Sequence, residues 1–292
     1  MKKILLTGGS GFIGRNLQES FLKDRYEIFA PSHAELDVAD TASVDGYFRR
    51  HEFDVVLHAA VKPGHRNAPD HSRLFYTNMR MFENLARHRD SFGRFINFGS
   101  GAVYDVAANN AGVAEEEIFR RMGADEHSFC KYVAAKRIDS LPGFVDLNIF
   151  GIFGRYEDYA IRFISNAICK SLFGLPITLR QNRRFSYLDV NDLPAILERF
   201  IEKDVTYSSY NVVPDGFAEL RDIAEYVAGM GGVEVRVAAE GYGLDYYGSN
   251  ARLKKEFGNV TFTPLHDSIN ALYAWYKRNR HTLNCDALCV DK

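Results

Sequence analysis

A glycine-spaced turn, Thr7-Gly8-Gly9-Ser10-Gly11-Phe12-Ile13-Gly14, lies between the first apolar run of the chain and its first helix-like stretch. Glycine lets a backbone pass close to a phosphate. The helix that follows offers unpaired N–H groups and the positive end of its dipole. Taken alone, the triplet is an ordinary tight turn. After the first strand of an alternating chain it reads as a pyrophosphate seat, with Gly8, Gly11, Phe12, Ile13 and Gly14 as its residues. The spacing is Gly-x-x-Gly-x-x-Gly, not Gly-x-Gly-x-x-Gly.

The alternation is clear in the first half. Strand-like apolar runs occur at Lys3–Leu6, Glu27–Ala30, Val55–His58, Phe95–Phe98 and Val145–Phe150. Helix-spaced stretches separate them at Phe12–Leu22, Ala42–Arg50, Ser72–Arg87 and Asp125–Asp139. Such a pattern implies right-handed crossovers and a parallel sheet with helices on both faces, a doubly wound α/β fold of Rossmann type. The second half is less regular. Helices are expected at Asp158–Leu172, Val190–Glu202, Phe217–Gly229, Asn250–Phe257 and Leu265–Arg280, and strands at Ile177–Leu179, Tyr210–Val213 and Val233–Ala238. The expected division is a dinucleotide-binding domain over 1–155, to which 177–213 returns. A smaller α/β substrate lobe comprises 156–176 and 214–292.

With 292 residues and 46% hydrophobic content the chain can bury a large core. A formal net charge of -2 gives no reason to expect nucleic acid as a partner. The longest apolar runs are too short for a membrane span or a signal segment, and a reduced cytoplasmic protein fits the cysteine usage. Cys130, Cys169, Cys285 and Cys289 have no zinc-type pairing, and His127 and Cys130 stand isolated, so no metal site is spelled out.

The chemistry-bearing residues are Ser100, in Phe98-Gly99-Ser100-Gly101-Ala102-Val103-Tyr104, and the pair Tyr132 and Lys136 in Lys131-Tyr-Val-Ala-Ala-Lys136. Positions i and i+4 of a helix share a face. An ammonium beside a phenol favours the phenolate and lowers its pKa from a reference of about 10. Such a tyrosine can exchange a proton with a sugar or alcohol oxygen. Lys131 reads as solvated surface. At the end of the second strand, Phe29-Ala30-Pro31-Ser32-His33-Ala34 carries no acid. Ser32 and His33 can donate to a 2′-phosphate and Arg15 can reach it, which favours NADP over NAD; Glu35 argues the other way.

Glycine turn, serine and Tyr-x-x-x-Lys in this order resemble the extended short-chain dehydrogenase/reductases, the family of nucleotide-sugar epimerases, dehydratases and 4-ketoreductases. The resemblance spans roughly Lys2 to Arg278. It implies that Asp37 and Val38 flank adenine, that His58-Ala59-Ala60 lines the cofactor, that Asn78 supports the central sheet, and that Ser100, Tyr132 and Lys136 are catalytic. Tyr132 would give a proton to a carbonyl oxygen, and Lys136 would hold the nicotinamide ribose. Arg183 and Arg184 would meet the diphosphate of a nucleotide-diphosphate sugar, and Lys62, with His65 and Arg66, would line the sugar pocket. Gly101 and Ala102 stand where dehydratases carry an acid pair, which argues against dehydration. Ala102 also lacks the cysteine of a 3,5-epimerase. The chain is therefore similar to 4-ketoreductases of the GDP-fucose synthase-like group. A 4-epimerase with retained NAD and a non-catalytic dinucleotide-binding protein are the other readings. Homodimers are common in this family.

Overall fold

The computed structural model describes residues 1–64, 68 and 70–289. The first half follows the expected alternation: β1 (Lys3–Thr7), α1 (Phe12–Glu19), α2 (Leu22–Arg25), β2 (Glu27–Phe29), α3 (Thr41–Arg50), β3 (Val55–His58), α4 (Leu74–Ala86) and β4 (Arg94–Phe98). After a 3₁₀ turn at Gly101–Tyr104 come β5 (Asn110–Val113), α5 (Glu126–Asp139), β6 (Phe144–Asn148) and β7 (Gly151–Phe153). The remainder is α6 (Phe163–Leu172), β8 (Ile177–Leu179), β9 (Arg184–Phe185), β10 (Tyr187–Asp189), α7 (Leu193–Glu202), β11 (Ser209–Asn211), β12 (Ala218–Glu219) and α8 (Leu220–Gly231). Last are β13 (Val235–Val237), β14 (Tyr246–Gly248), α9 (Ala251–Phe257) and α10 (Leu265–Arg278).

Six strands form a parallel sheet in the order β11-β6-β4-β3-β1-β2. Both faces are covered, which is why its strands read as near-continuous apolar runs. Along β1, Ile4 and Leu6 pack with Leu17 of α1 and Leu197 and Phe200 of α7. Leu5 packs on the other side with Val44 of α3, Phe82 of α4 and Ile138 of α5. Phe95 is fully buried and stacks on Phe144 at 4.6 Å between ring centroids. Truncating such a ring costs about 3–5 kcal/mol.

The second lobe gathers α6, α8 and α10 around Ile168, Val227, Ile269 and Tyr276. A mixed sheet in the order β12-β9-β14-β5 bridges the two halves of the chain. Of the stretch 177–213, β8 pairs with β13 in this lobe, while α7 and β11 pack onto the main sheet. The helix expected from Asp158 begins only at Phe163. Asp158 accepts from the Ala160 amide through its carboxylate and closes a turn that delays the helix.

Candidate functional site

The candidate site is built along the C-terminal edge of the main sheet, starting at the end of β1. Gly8 has φ +71, and a Cβ there would meet the Ala59 and Ala60 backbone at 2.7 Å. A Cβ on Gly14 would strike the Gly8 carbonyl oxygen at 2.3 Å. Gly11 caps α1 without any side-chain hydrogen bond. The first N–H groups of the helix, including those of Phe12 and Ile13, are thus left for an anion. These residues fit a dinucleotide diphosphate: the glycines bring backbone amides forward and leave no side chain in the way.

The tip of β2 differs from the expectation. Ser32 donates from both its amide and its hydroxyl to the Glu35 carboxylate, each at 2.8 Å. Those bonds hold Glu35 below the usual carboxylate range. Arg15 stacks on the Tyr156 ring at 3.9 Å. His33 is exposed, 3.9 Å from Asp37. Val38 is buried, and its carbonyl accepts from Asn84.

At the end of β3, Ala60 donates its amide to the Thr7 hydroxyl, which is also 2.9 Å from His58 Nδ1. Asn78 accepts from the Lys62 amide and donates to the Lys62 carbonyl, pinning the strand exit. Lys62 itself is spent on Asp70 and the Ser72 carbonyl. His65 and Arg66 lie outside the described residues.

A buried polar row crosses the sheet just below this edge. Thr7, His58, Asn97 and Asp146 are register partners on β1, β3, β4 and β6. Asn97 donates to Asp146 at 2.7 Å. Burial raises Asp146 to about 6, against the pull of Asn97 and the Lys131 ammonium. Burial, and then Lys131, push His58 down to about 3, so its imidazole is neutral.

Helix α5 decides which side chains reach this edge. Asp125 caps it by accepting from the Ser128 amide at 2.9 Å. Its buried residues are Ser128, Cys130, Ala134, Ala135 and Ile138. At about 100° per residue, that arc is centred on Lys131 and Ile138, with His127 beside them. Lys131 donates to the carbonyl of Phe98, the last residue of β4, at 3.3 Å. One flank of α5 meets α4: Phe129 stacks on Phe75, and Arg137 bonds Glu83. Tyr132, Lys136 and Asp139 lie outside the buried arc, Lys136 about two turns along the same face as Phe129. Asp139 accepts from Ser208, next to β11. Tyr132 stands edge-on to Phe119 at 5.7 Å, and the Lys136 ammonium lies 3.7 Å above the same ring.

The expected catalytic pair thus packs on the Phe119 ring, outside the buried arc of α5. In the strand order, β11 is the far edge from β1 and its glycine turn. The Asp139–Ser208 bond ties this flank of α5 to that edge, and Lys136 is exposed. Lys131, expected to be solvated, reaches the end of β4, and His127, expected to be isolated, shares its phase on the helix. Ser100 stands at the end of β4, where its Oγ accepts from the Ala102 amide at 3.1 Å. A buried phenol, Tyr246 of β14, stands against the same turn, where a Cβ on Gly101 would meet its Oη at 2.8 Å, and burial holds that phenol well above its ordinary pKa. Sequence reasoning missed Tyr246, because β14 lies far along the chain in the second lobe. The Asp125 and Arg162 charges bear on both Tyr246 and His127. Arg183 donates to the Leu244 carbonyl at 2.6 Å, and its charge also reaches Tyr246. Arg184 is held 3.8 Å from both Glu219 and Asp245.

The sequence profile of the NAD dependent epimerase/dehydratase family matches residues 4–212, from β1 through β11. The chain belongs to this family. It is 31% identical over 171 residues to a GDP-L-fucose synthase of Azorhizobium caulinodans, covering 53% of this chain and 54% of that protein. The chain thus spans about half the length of that curated relative. Among solved structures it superposes on the GDP-mannoheptose C4 reductase of Campylobacter jejuni with NADP bound, at TM-score 0.80 and 20% identity, over 94% of this chain and 98% of that one. It matches the Bordetella bronchiseptica enzyme WbmG in complex with NAD and UDP equally well, at TM-score 0.80 and 18% identity, over 95% and 96%. At such identities the structural likeness speaks for the fold. Family membership and the superposition agree with the parallel sheet and glycine turn in giving an α/β fold of Rossmann type. Among the described residues no helix is long and apolar enough to cross a membrane, and no cluster of metal-ligating side chains occurs.

Proposed function

We propose that the chain reduces a 4-keto nucleotide-diphosphate sugar with a nicotinamide dinucleotide. One observation carries this reading. A backbone cradle at the end of β1 and the Ser100 hydroxyl at the end of β4 share one edge of the sheet, two strands apart. When bound, the dinucleotide supplies or accepts hydride. The chain holds it through the N–H groups that open α1, with Asp37, Val38, Ala59 and Ala60 along its path. Ser100 hydrogen-bonds the reacting sugar oxygen and stabilises developing negative charge; such a donor is worth on the order of 10² in rate. Arg183, whose charge reaches the Ser100 end of the site, is the better placed of the two arginines for the sugar diphosphate. Arg184 and Lys62 would first have to leave their carboxylates. The GDP-sugar names of the relatives support a GDP-linked substrate.

The β2 tip favours NAD over the NADP expected from sequence. Both Ser32 donors are committed to Glu35, and a carboxylate there suits ribose hydroxyls and repels a 2′-phosphate. That choice also fits a 4-epimerase that retains its NAD. Non-catalytic dinucleotide binding gains support from the packing of Tyr132 and Lys136 on Phe119.

A thermal-shift panel of GDP-, UDP-, dTDP- and CDP-sugars with NADH and NADPH tests the proposal, because a ligand of the folded state raises its apparent stability. The expected result is stabilisation by NADH, increased by a GDP-sugar, in protein that loses its dinucleotide on dialysis. Stoichiometric dinucleotide surviving dialysis contradicts the reductase reading and selects the epimerase.

A further inference from the structure

The geometry points to His127, flanked by Lys131, as the group that moves the proton in this site, with Tyr132 and Lys136 as a packing pair on Phe119. The inference rests on the oxidoreductase reading above and adds to it the identity of the proton carrier.

His127 and Lys131 are themselves i,i+4 on α5, the same spacing as Tyr132 and Lys136, but five residues earlier. Five residues turn a side chain by about 140°. That rotation takes the first pair into the arc of Ser128, Ala134, Ala135 and Ile138 and leaves the second outside it. Lys131 is fixed by the Phe98 carbonyl, two residues before Ser100. The His127 ring is half-buried in the first turn of α5, where it makes no hydrogen bond with the described residues. Its imidazole lies one turn before Lys131 in the same helical phase and keeps both ring nitrogens available.

The proton balance is simple. In the direction from alcohol to ketone, neutral His127 takes the hydroxyl proton while hydride leaves the same carbon for the oxidised dinucleotide. In reverse, the imidazolium returns that proton to the carbonyl oxygen as hydride arrives. Three charged groups bear on the ring: Lys131 on its own helix, Asp125 at the cap and Arg162 at the start of α6. Burial, then Lys131 and Arg162, lower the imidazole below its ordinary value, against the opposing pull of Asp125. The neutral form therefore prevails at pH 7, and the imidazolium loses its proton readily.

The test is NMR on protein carrying ¹³C-labelled histidine and tyrosine rings, with His127→Gln and Tyr132→Phe used to assign the two resonances. NADH, NAD, NADPH and NADP are added in turn, each with and without GDP. The expected result is a ligand-induced displacement of the His127 ring signal that exceeds any change at Tyr132. The unliganded His127 signal should also titrate with a midpoint below that of a solvated histidine. A Tyr132 signal that moves while His127 stays still overturns the assignment of the proton carrier. Wild-type protein that binds none of the four dinucleotides overturns the oxidoreductase reading beneath it. Both outcomes are read from binding and require no substrate to be known.

Discussion

Two flanks of a single helix, α5, carry the same i,i+4 spacing and have opposite surroundings. His127 and Lys131 belong to the arc that packs on the sheet, and Lys131 reaches the Phe98 carbonyl. Tyr132 and Lys136 share the Phe119 ring on the side of β11. Spacing places two side chains on one face of a helix. Which way that face points is set by packing, and no motif of two residues contains that information.

The largest effect expected from this contrast is on turnover. His127→Gln keeps a hydrogen-bonding side chain but cannot carry the proton. It should lower kcat on an accepted sugar by about 10² or more while leaving dinucleotide affinity nearly unchanged. Tyr132→Phe should leave both within a factor of two or so, at a cost in stability of about 0.5 kcal/mol or less. Reversal of these two results would restore the pair expected from sequence.

Asp146 probes the ground beneath Lys131. Its folded pKa of about 6 lies above the value of about 3.9 for a solvated aspartate. A raised carboxyl favours the folded state when protonated, so its contribution is full below about pH 4 and is lost as pH rises through about 6. Asp146→Asn removes that loss and should raise stability at pH 8 by roughly 2–3 kcal/mol relative to pH 4. Urea midpoints at the two pH values measure it. An unchanged pH dependence would mean that the carboxylate is not stressed by burial.

The smallest effect belongs to the outer flank. Lys136→Ala gives up a cation–π contact on Phe119 at an exposed site, worth about 0.5–1 kcal/mol. Thermal melts should show that small loss and nothing more.

Much of this architecture is legible in the chain. The alternation of apolar runs and helix-spaced stretches gives the strands of the main sheet because doubly buried strands and amphipathic helices write different periods. Gly8 and Gly14 are forced by contacts of 2.7 and 2.3 Å that no side chain tolerates, so the turn they form is readable from sequence. The site beyond the turn is less so. Tyr246 reaches the Ser100–Gly101 turn from the second lobe through a tertiary contact that no local pattern encodes. The β2 tip depends on Glu35 folding back on Ser32, a side-chain bond rather than a spacing. On α5 a signal was present: Asp125 marks the start of the helix, and the small residues Ala134 and Ala135 mark its buried arc. Extending that phase back to His127 and Lys131 would have separated the two flanks.

Dinucleotide affinity compared between Lys131→Met and Lys136→Ala, by fluorescence titration with NADH, tests the central contrast most directly. Loss of an ammonium held at the end of β4 should weaken binding about tenfold or more, equivalent to about 1.4 kcal/mol, while loss of the ammonium on Phe119 should leave it unchanged. Weakening by Lys136→Ala, with Lys131→Met binding like the wild type, would contradict the account.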